Sequence, residues 1–216
     1  MKVTLFPFRG QTFHLHPHRA IFWEDEKTLL IADLHLGKAR HFRKAGMPVP
    51  IEVSEKNIEI LDHLLHTFNA ERFLILGDLF HSSRNYAWDQ FQAWLSKYKE
   101  LAAVLIPGNH DYHHREAYEA LGLVVKEEPY EEKDFVFSHI PLKEEIKGKY
   151  NLAGHIHPAV RLSGEGRQSL SLSCFYFGEW QGLLPAFGKF TGNGYVEVCE
   201  GDQVFVLAED EVIEVG

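Results

Sequence analysis

The sequence predicts an α/β fold in which two β-sheets pack together with helices outside. Three observations predict it. The first half of the chain alternates short apolar runs with stripes of helical period. The second half breaks into short strand-like runs between Gly-rich or acidic turns, and no repeat or linker interrupts either half. The 216-residue length suffices for one sizeable core without disulfide or metal staples, so a single domain over 1–216 is expected.

Near the N-terminus, His14, His16 and His18 alternate along a strand-like stretch that Pro17 interrupts, which reads as polar surface. Thr28–Ala32 (TLLIA) is an apolar run of the kind buried on both faces of a sheet. Ser54 is the expected N-cap of a helix, because Ile58, Leu61, Leu64, Leu65 and Phe68 come after it as a stripe of period 3.6. Phe73–Leu76 is the next buried strand. Ala87, Phe91, Trp94, Leu95 and Tyr98 form a second helical stripe, so these aromatics belong to the core. Ala103–Ile106 is a third strand, ending at Pro107-Gly108. A short helix around Glu116–Leu121 stops at Gly122, a residue suited to the position after a helix C-terminus. Beyond it, Glu127–Asp134 is expected as an acidic solvated turn. Phe135–Phe137, Tyr150–Ala153, Leu170–Leu172, Tyr195–Cys199 and Val204–Leu207 are expected as strands.

Composition removes several classes of function. With 22 basic against 31 acidic residues, the net charge of −9 excludes electrostatic coating of nucleic acid, so any such contact is local. No run approaches the ~18–20 apolar residues of a membrane span. The N-terminal stretch has neither the apolar core nor the cleavage site of a signal peptide. Cys174 and Cys199 form no CxxC motif and no disulfide framework, which points to a reducing, cytoplasmic setting. The 14 histidines stand out, because imidazole is the commonest metal ligand.

The chemistry lies directly behind the strands. TLLIA is followed by Asp33-Leu34-His35, FLIL by Gly77-Asp78, AVLIP by Gly108-Asn109-His110-Asp111, FVFS by His139, and NLA by Gly154-His155-Ile156-His157. Sites in open α/β sheets gather at the carboxyl ends of strands, so these residues can converge. Carboxylate, imidazole and one amide, with no thiolate, suit two divalent ions such as Mn²⁺, Fe²⁺ or Zn²⁺. In an extended Asp-x-His, residues i and i+2 point to one side. Glycine before Asp78, Asn109 and His155 allows close backbone approach.

The order D-x-H, G-D, G-N-H-D, H, G-H-x-H resembles the calcineurin-like metallophosphoesterase superfamily. LLIADLHLGKARHFRKAGMPVP, GDLFHS and LPAFGKFTG are further similar to bacterial DNA-ligase-associated metallophosphoesterases, candidate endonucleases of the DNA damage response. The resemblance implies a four-layer α/β/β/α sandwich of two mixed sheets flanked by helices. It implies that Asp33, His35 and His157 bind one ion, that Asn109, His139 and His155 bind a second, and that Asp78 bridges both. Manganese is the expected metal.

Two divalent ions outweigh two ligand carboxylates, which attracts a phosphate ester and acidifies a bridging water to the attacking hydroxide. His110, beside Asn109, is the expected general acid, with Asp111 holding its ring. Ser/Thr phosphoprotein phosphatases carry Asp-Arg-Gly after the bridging Asp. Here Leu-Phe-His stands instead, resembling the nuclease branch and making His81 a substrate contact. Lys38, Arg40, His41, Arg43 and Lys44 form a basic cluster on an acidic protein, and Arg40 and Arg43 are read as contacts to flanking phosphates. The expected activity is phosphodiester hydrolysis in DNA, with a functional link to a DNA ligase or helicase implied by the resemblance. A small-molecule phosphomonoesterase or nucleotide phosphodiesterase is the alternative that the net charge favours. A non-catalytic scaffold would need neither the complete ligand set nor His110.

Overall fold

The computed structural model describes residues 1–38, 52–81, 86–164, 169–188 and 191–215. The first sheet is built from β1 (Thr4–Phe8), β2 (Gln11–His16), β3 (Ala20–Trp23), β4 (Thr28–Ala32), β5 (Arg72–Leu76), β6 (Ala102–Ile106) and β7 (Val124–Val125), in that spatial order. Pairing is antiparallel up to β4 and parallel from β4 to β7, so the sheet is mixed. Between these strands run α1 (Glu52–Phe68), α2 (Tyr86–Leu95) and α3 (Arg115–Glu119). The second sheet has the order β14 (Gly194–Tyr195), β11 (Pro158–Ser163), β12 (Ser169–Phe177), β13 (Gln181–Leu183), β10 (Tyr150–Ala153), β9 (Phe135–Ser138), β8 (Tyr130–Glu132). Strands β15 (Gln203–Ala208) and β16 (Glu211–Glu214) extend it from β12.

Successive side chains of a strand point to opposite faces, and the core divides accordingly. Leu29, Ile31, Phe73, Ile75 and Leu105 face the helices and pack with Leu61, Leu64, Phe91 and Trp94. Leu30, Ala32, Leu74, Leu76 and Ile106 face the other way, onto Phe135, Phe137, Leu152 and Phe175 of the second sheet. Burial on both faces explains why β4, β5 and β6 read as unbroken apolar runs. Aromatic rings weld the sheets together, with Phe6 and Phe177 4.6 Å apart and Trp23 and Phe135 5.3 Å apart.

A polar clamp joins the sheets at one edge. The Arg72 guanidinium on β5 donates to both oxygens of Glu132 on β8 (2.8 and 2.7 Å), and its Nε donates to Thr28 (2.8 Å). Arg72→Met removes one partner of this half-buried fork. It is expected to lower the urea-unfolding free energy by about 2–3 kcal/mol with an unchanged m-value.

The α/β architecture of two mixed sheets is present, with α1, α2 and α3 packed against the same face of the first sheet. Among the described residues no helix follows Glu119. Instead Val160, Cys174, Val204 and Val206, with Leu172 and Tyr176, bury part of the far face of the second sheet between its own strands. This agrees with the absence of a 3.6-period stripe from the second half of the sequence. Several boundaries shift. Helix α1 begins at Glu52, so Ser54 lies inside it rather than at its cap. Leu170–Leu172 is the middle of the longer β12, and of Tyr195–Cys199 only Tyr195 pairs as a strand. The acidic Glu127–Asp134 stretch contains β8, because Glu132 is drawn in by Arg72. Among the described residues no helix is long and apolar enough to cross a membrane.

His16 is buried, not surface, with its ring 6.0 Å from Phe68. Burial pushes its pKa down to about 4, and the neighbouring His18 and His63 add to this. The unfolded chain therefore binds more protons than the folded one between about pH 4 and 6.5, and stability falls as pH drops through that window. His16→Leu is expected to remove about 2–3 kcal/mol of this loss, read from urea midpoints at pH 7 and pH 4.5.

Candidate metal centre

The candidate ligands leave the carboxyl ends of neighbouring strands. Asp33 and His35 follow β4, Asp78 follows β5, and Asn109 follows β6, three adjacent parallel strands. His139 follows β9, and His155 and His157 follow β10, a parallel pair in the other sheet. The expected extended Asp-x-His does not form. Asp33 (φ 54°), His35 (47°), Asp78 (51°), His155 (67°) and His157 (54°) all adopt left-handed backbone. Asp and His tolerate this conformation better than most residues, at a cost of about 1–3 kcal/mol each, and it persists only where surroundings over-determine it. Here they do. The N–H of Asp33 donates to the Gly77 carbonyl (3.2 Å), that of His35 to the Asp78 carbonyl (2.8 Å), and that of His155 to Asp33 Oδ2 (2.9 Å). On the far side, the N–H groups of Phe187 and Gly188 donate to the carbonyls of Ala32 and Asp33.

The glycines admit this crowding. A Cβ on Gly77 would sit 2.2 Å from His139 Nδ1, and one on Gly108 would sit 2.3 Å from Asp78 Oδ1.

Two donor groups result. Asp33, His35 and His157 each bring one ligand atom within 4.8 Å of the others, as do Asp33, Asp78 and His139. Around His139 Nε2 lie Asn109 Oδ1 at 2.9 Å, His155 Nδ1 at 3.1 Å and Asp78 Oδ1 at 3.5 Å. The other oxygen of Asp78 is 3.5 Å from His35 Nε2, so one carboxylate touches both groups. The donors fit a cation. Asp33 is fully buried and its Oδ1 has no hydrogen-bond partner, although His157 Nε2 is 3.3 Å away. Buried acceptors of this kind are costly unless a positive charge meets them.

Protonation obeys the same logic. Burial pushes His35 down to about 2, with Lys38 and neighbouring histidines adding, and burial also lowers His155, so both are neutral, the form that ligates metal. At His157 burial opposes protonation, yet the Asp33 carboxylate 3.3 Å away raises its pKa overall.

His110 is half-buried beside this centre, with its ring 5.4 Å from those of His35 and His81. Asp111 does not hold that ring. Its buried carboxylate accepts from the N–H groups of Leu79, Phe80 and Gly108, at 3.3, 3.4 and 2.9 Å, and from Tyr118 Oη. It braces the Asp78 loop against the Asn109 turn, and burial pushes its pKa up to about 6. The ring of His110 is met instead by Tyr112, whose Oη is 2.9 Å from Nδ1. Of the basic cluster, Lys38 lies close enough for Asp78 and Asp33 to pull on its charge. Arg40 and Arg43, with His41 and Lys44, lie outside the described residues. Sequence reasoning missed Tyr112, the bracing by Phe187 and Gly188, and Glu128, which accepts the His139 N–H at 2.7 Å. The LPAFGKFTG segment was a signal for the second of these. Nothing local marked the other two.

A binuclear-type cluster at strand ends between two mixed sheets defines a class of metal-dependent phosphoesterase. The family model for calcineurin-like phosphoesterases matches residues 26–201, and the chain belongs to that family. The chain is similar to a solved nuclease, MPE of Pseudomonas putida. It shares 31% identity with it and a TM-score of 0.83, over 99% of this chain and 100% of that one. A phosphoesterase from E. coli, Yfce, shares 14% identity and a TM-score of 0.44 over 87% of this chain and 97% of that one, too distant to bear on function. No curated protein matches the chain.

Proposed function

We propose that this phosphoesterase hydrolyses phosphodiester bonds in DNA, acting as a single domain over 1–216. The reading is carried by the Asp78 carboxylate, which touches two donor groups in a chain similar from end to end to a nuclease. Asp33, His35 and His157 would hold one ion, and Asn109, His139 and His155 the other, with Asp78 shared. The oxygen and imidazole donors, without thiolate, suit Mn²⁺, and Fe²⁺ or Zn²⁺ as substitutes. Bound there, the ions supply charge against the phosphoryl oxygens and acidify a water. His110 gives a proton to the leaving oxygen. Asp111 keeps the Asp78 and Asn109 loops in register. Lys38 and His81, with Arg40 and Arg43 further along the same basic segment, would contact phosphates flanking the scissile bond. Cys174 and Cys199 are both free, which agrees with a cytoplasmic enzyme, and a DNA ligase or helicase would be its functional partner.

The net charge of −9 supports a second reading, a small-molecule phosphoesterase. One panel separates the two: Mn²⁺-loaded protein on single- and double-stranded DNA, a chromogenic diester and a chromogenic monoester, with Asp78→Ala and His110→Ala beside the wild type. DNA cleavage lost in both variants is the expected result. Monoester turnover without diester turnover overturns the DNA reading.

A further inference from the structure

The group that the proposed reaction needs at the leaving oxygen is gripped from two directions. The backbone N–H of His110 donates to Asp78 Oδ1 at 2.8 Å, which ties the residue to the centre. Its ring nitrogen Nδ1 lies 2.9 Å from Tyr112 Oη, with the two rings at 65°. Neighbouring residues of this turn divide their work. Asp111 is 8% exposed and spends its carboxylate on three backbone N–H groups and Tyr118. Tyr112 is 61% exposed, so its hydroxyl sits at the open side of the site with His110. A side chain left that open contributes little to the core, and its one polar atom is spent on an imidazole 5.4 Å from the rings of His35 and His81.

We propose that Tyr112 positions His110 for leaving-group protonation, its hydroxyl holding Nδ1 so that Nε2 delivers the proton. The proposal rests on the phosphodiesterase reading. A phenol suits the task because it can accept as well as donate. While His110 is an imidazolium, Nδ1–H donates to Tyr112 Oη. In the transfer the Nε2–H bond breaks, an O–H bond forms on the departing oxygen, and the P–O bond electrons leave with that oxygen. The Nδ1–H···Oη bond is the same before and after, so nothing has to reorganise. Solvent returns the proton to Nε2, and Tyr112 keeps its own throughout.

Tyr112→Phe, Tyr112→Leu and His110→Ala test this on two diesters. One is a single-stranded DNA oligonucleotide, whose alkoxide leaving group needs a proton. The other is thymidine 5′-p-nitrophenyl phosphate, whose phenolate needs far less help. Tyr112→Phe is expected to slow DNA cleavage about tenfold more than it slows the p-nitrophenyl ester, as loss of one orienting hydrogen bond implies. His110→Ala should show the same selectivity, larger. In zinc-loaded protein, ¹⁵N spectra should show one fixed His110 ring tautomer in the wild type and an averaged one in Tyr112→Phe. Equal slowing of both esters by Tyr112→Phe, or an unchanged tautomer, overturns the proposal. So does a wild-type rate for Tyr112→Phe beside a loss in Tyr112→Leu, which would make the ring a stacking surface. If His110→Ala cleaves DNA normally, the underlying reading falls and takes this with it. If only Tyr112→Phe does, this proposal alone falls.

Discussion

Asp78→Ala is expected to lower Mn²⁺-dependent diester turnover by about 10³-fold or more, roughly 4 kcal/mol of transition-state stabilisation. The size stems from position. Asp78 reaches His139 Nε2 with one oxygen and His35 Nε2 with the other, both at 3.5 Å, so its loss unties the two donor groups at once. It also frees the His110 N–H that its Oδ1 accepts, which loosens the proposed general acid. A second measurement separates ion loss from chemistry. Asp33 and Asp78 place buried oxygens within 4.8 Å of each other, a repulsion that a cation offsets. Saturating Mn²⁺ should therefore raise the Tm of the wild type strongly, by mass action on the folded state, and that of the variant little. A variant that keeps the full Mn²⁺ shift in Tm and near wild-type turnover would contradict this account of Asp78.

Gly77→Ala is the second large effect, and Gly10→Ala is its control. Both glycines have left-handed backbone, φ 74° and 70°, so both substitutions incur the same strain of about 1 kcal/mol. They differ in space. Nothing lies within 4 Å of a Cβ on Gly10, whereas one on Gly77 would fall 2.2 Å from His139 Nδ1 and 2.7 Å from its Cβ. His139 cannot step aside freely, because Nδ1 is 3.1 Å from the Leu76 carbonyl and the ring is fully buried. Gly77→Ala is expected to destabilise the fold by about 2–4 kcal/mol more than Gly10→Ala, and to cut Mn²⁺ affinity as His139 leaves its place. Denaturant curves give the first quantity, and calorimetric Mn²⁺ titration gives the second. Equal effects of the two substitutions would show that the close approach at His139 carries no weight.

Much of this centre was legible in the sequence by itself. Buried parallel strands have to be apolar throughout, so TLLIA, FLIL and AVLI stand out, and a residue of metal-ligand type comes within a few positions of the end of each run. The two donor groups could thus be assembled from strand ends alone, with family resemblance supplying the division between ions. The first sheet was legible for the same reason, and the second less so. Its strands are short, and β8 lies within an acidic run whose half-buried Glu132 is met by a fork from Arg72, far away in sequence.

The tertiary structure alone decided how the candidate ligands point. Asp33, His35, Asp78, His155 and His157 stand in a backbone conformation that no periodicity encodes. It is imposed by hydrogen bonds between loops remote in sequence, such as Asp33 to Gly77 and His155 to Asp33. It likewise turned Asp111 into a brace and gave the ring of His110 to Tyr112, against the simpler expectation that the adjacent carboxylate would take it. Residue type and strand position are local properties, written along the chain. Partner choice at a crowded centre is settled by whichever polar groups burial leaves without water, and that is known only once the two sheets have closed on each other.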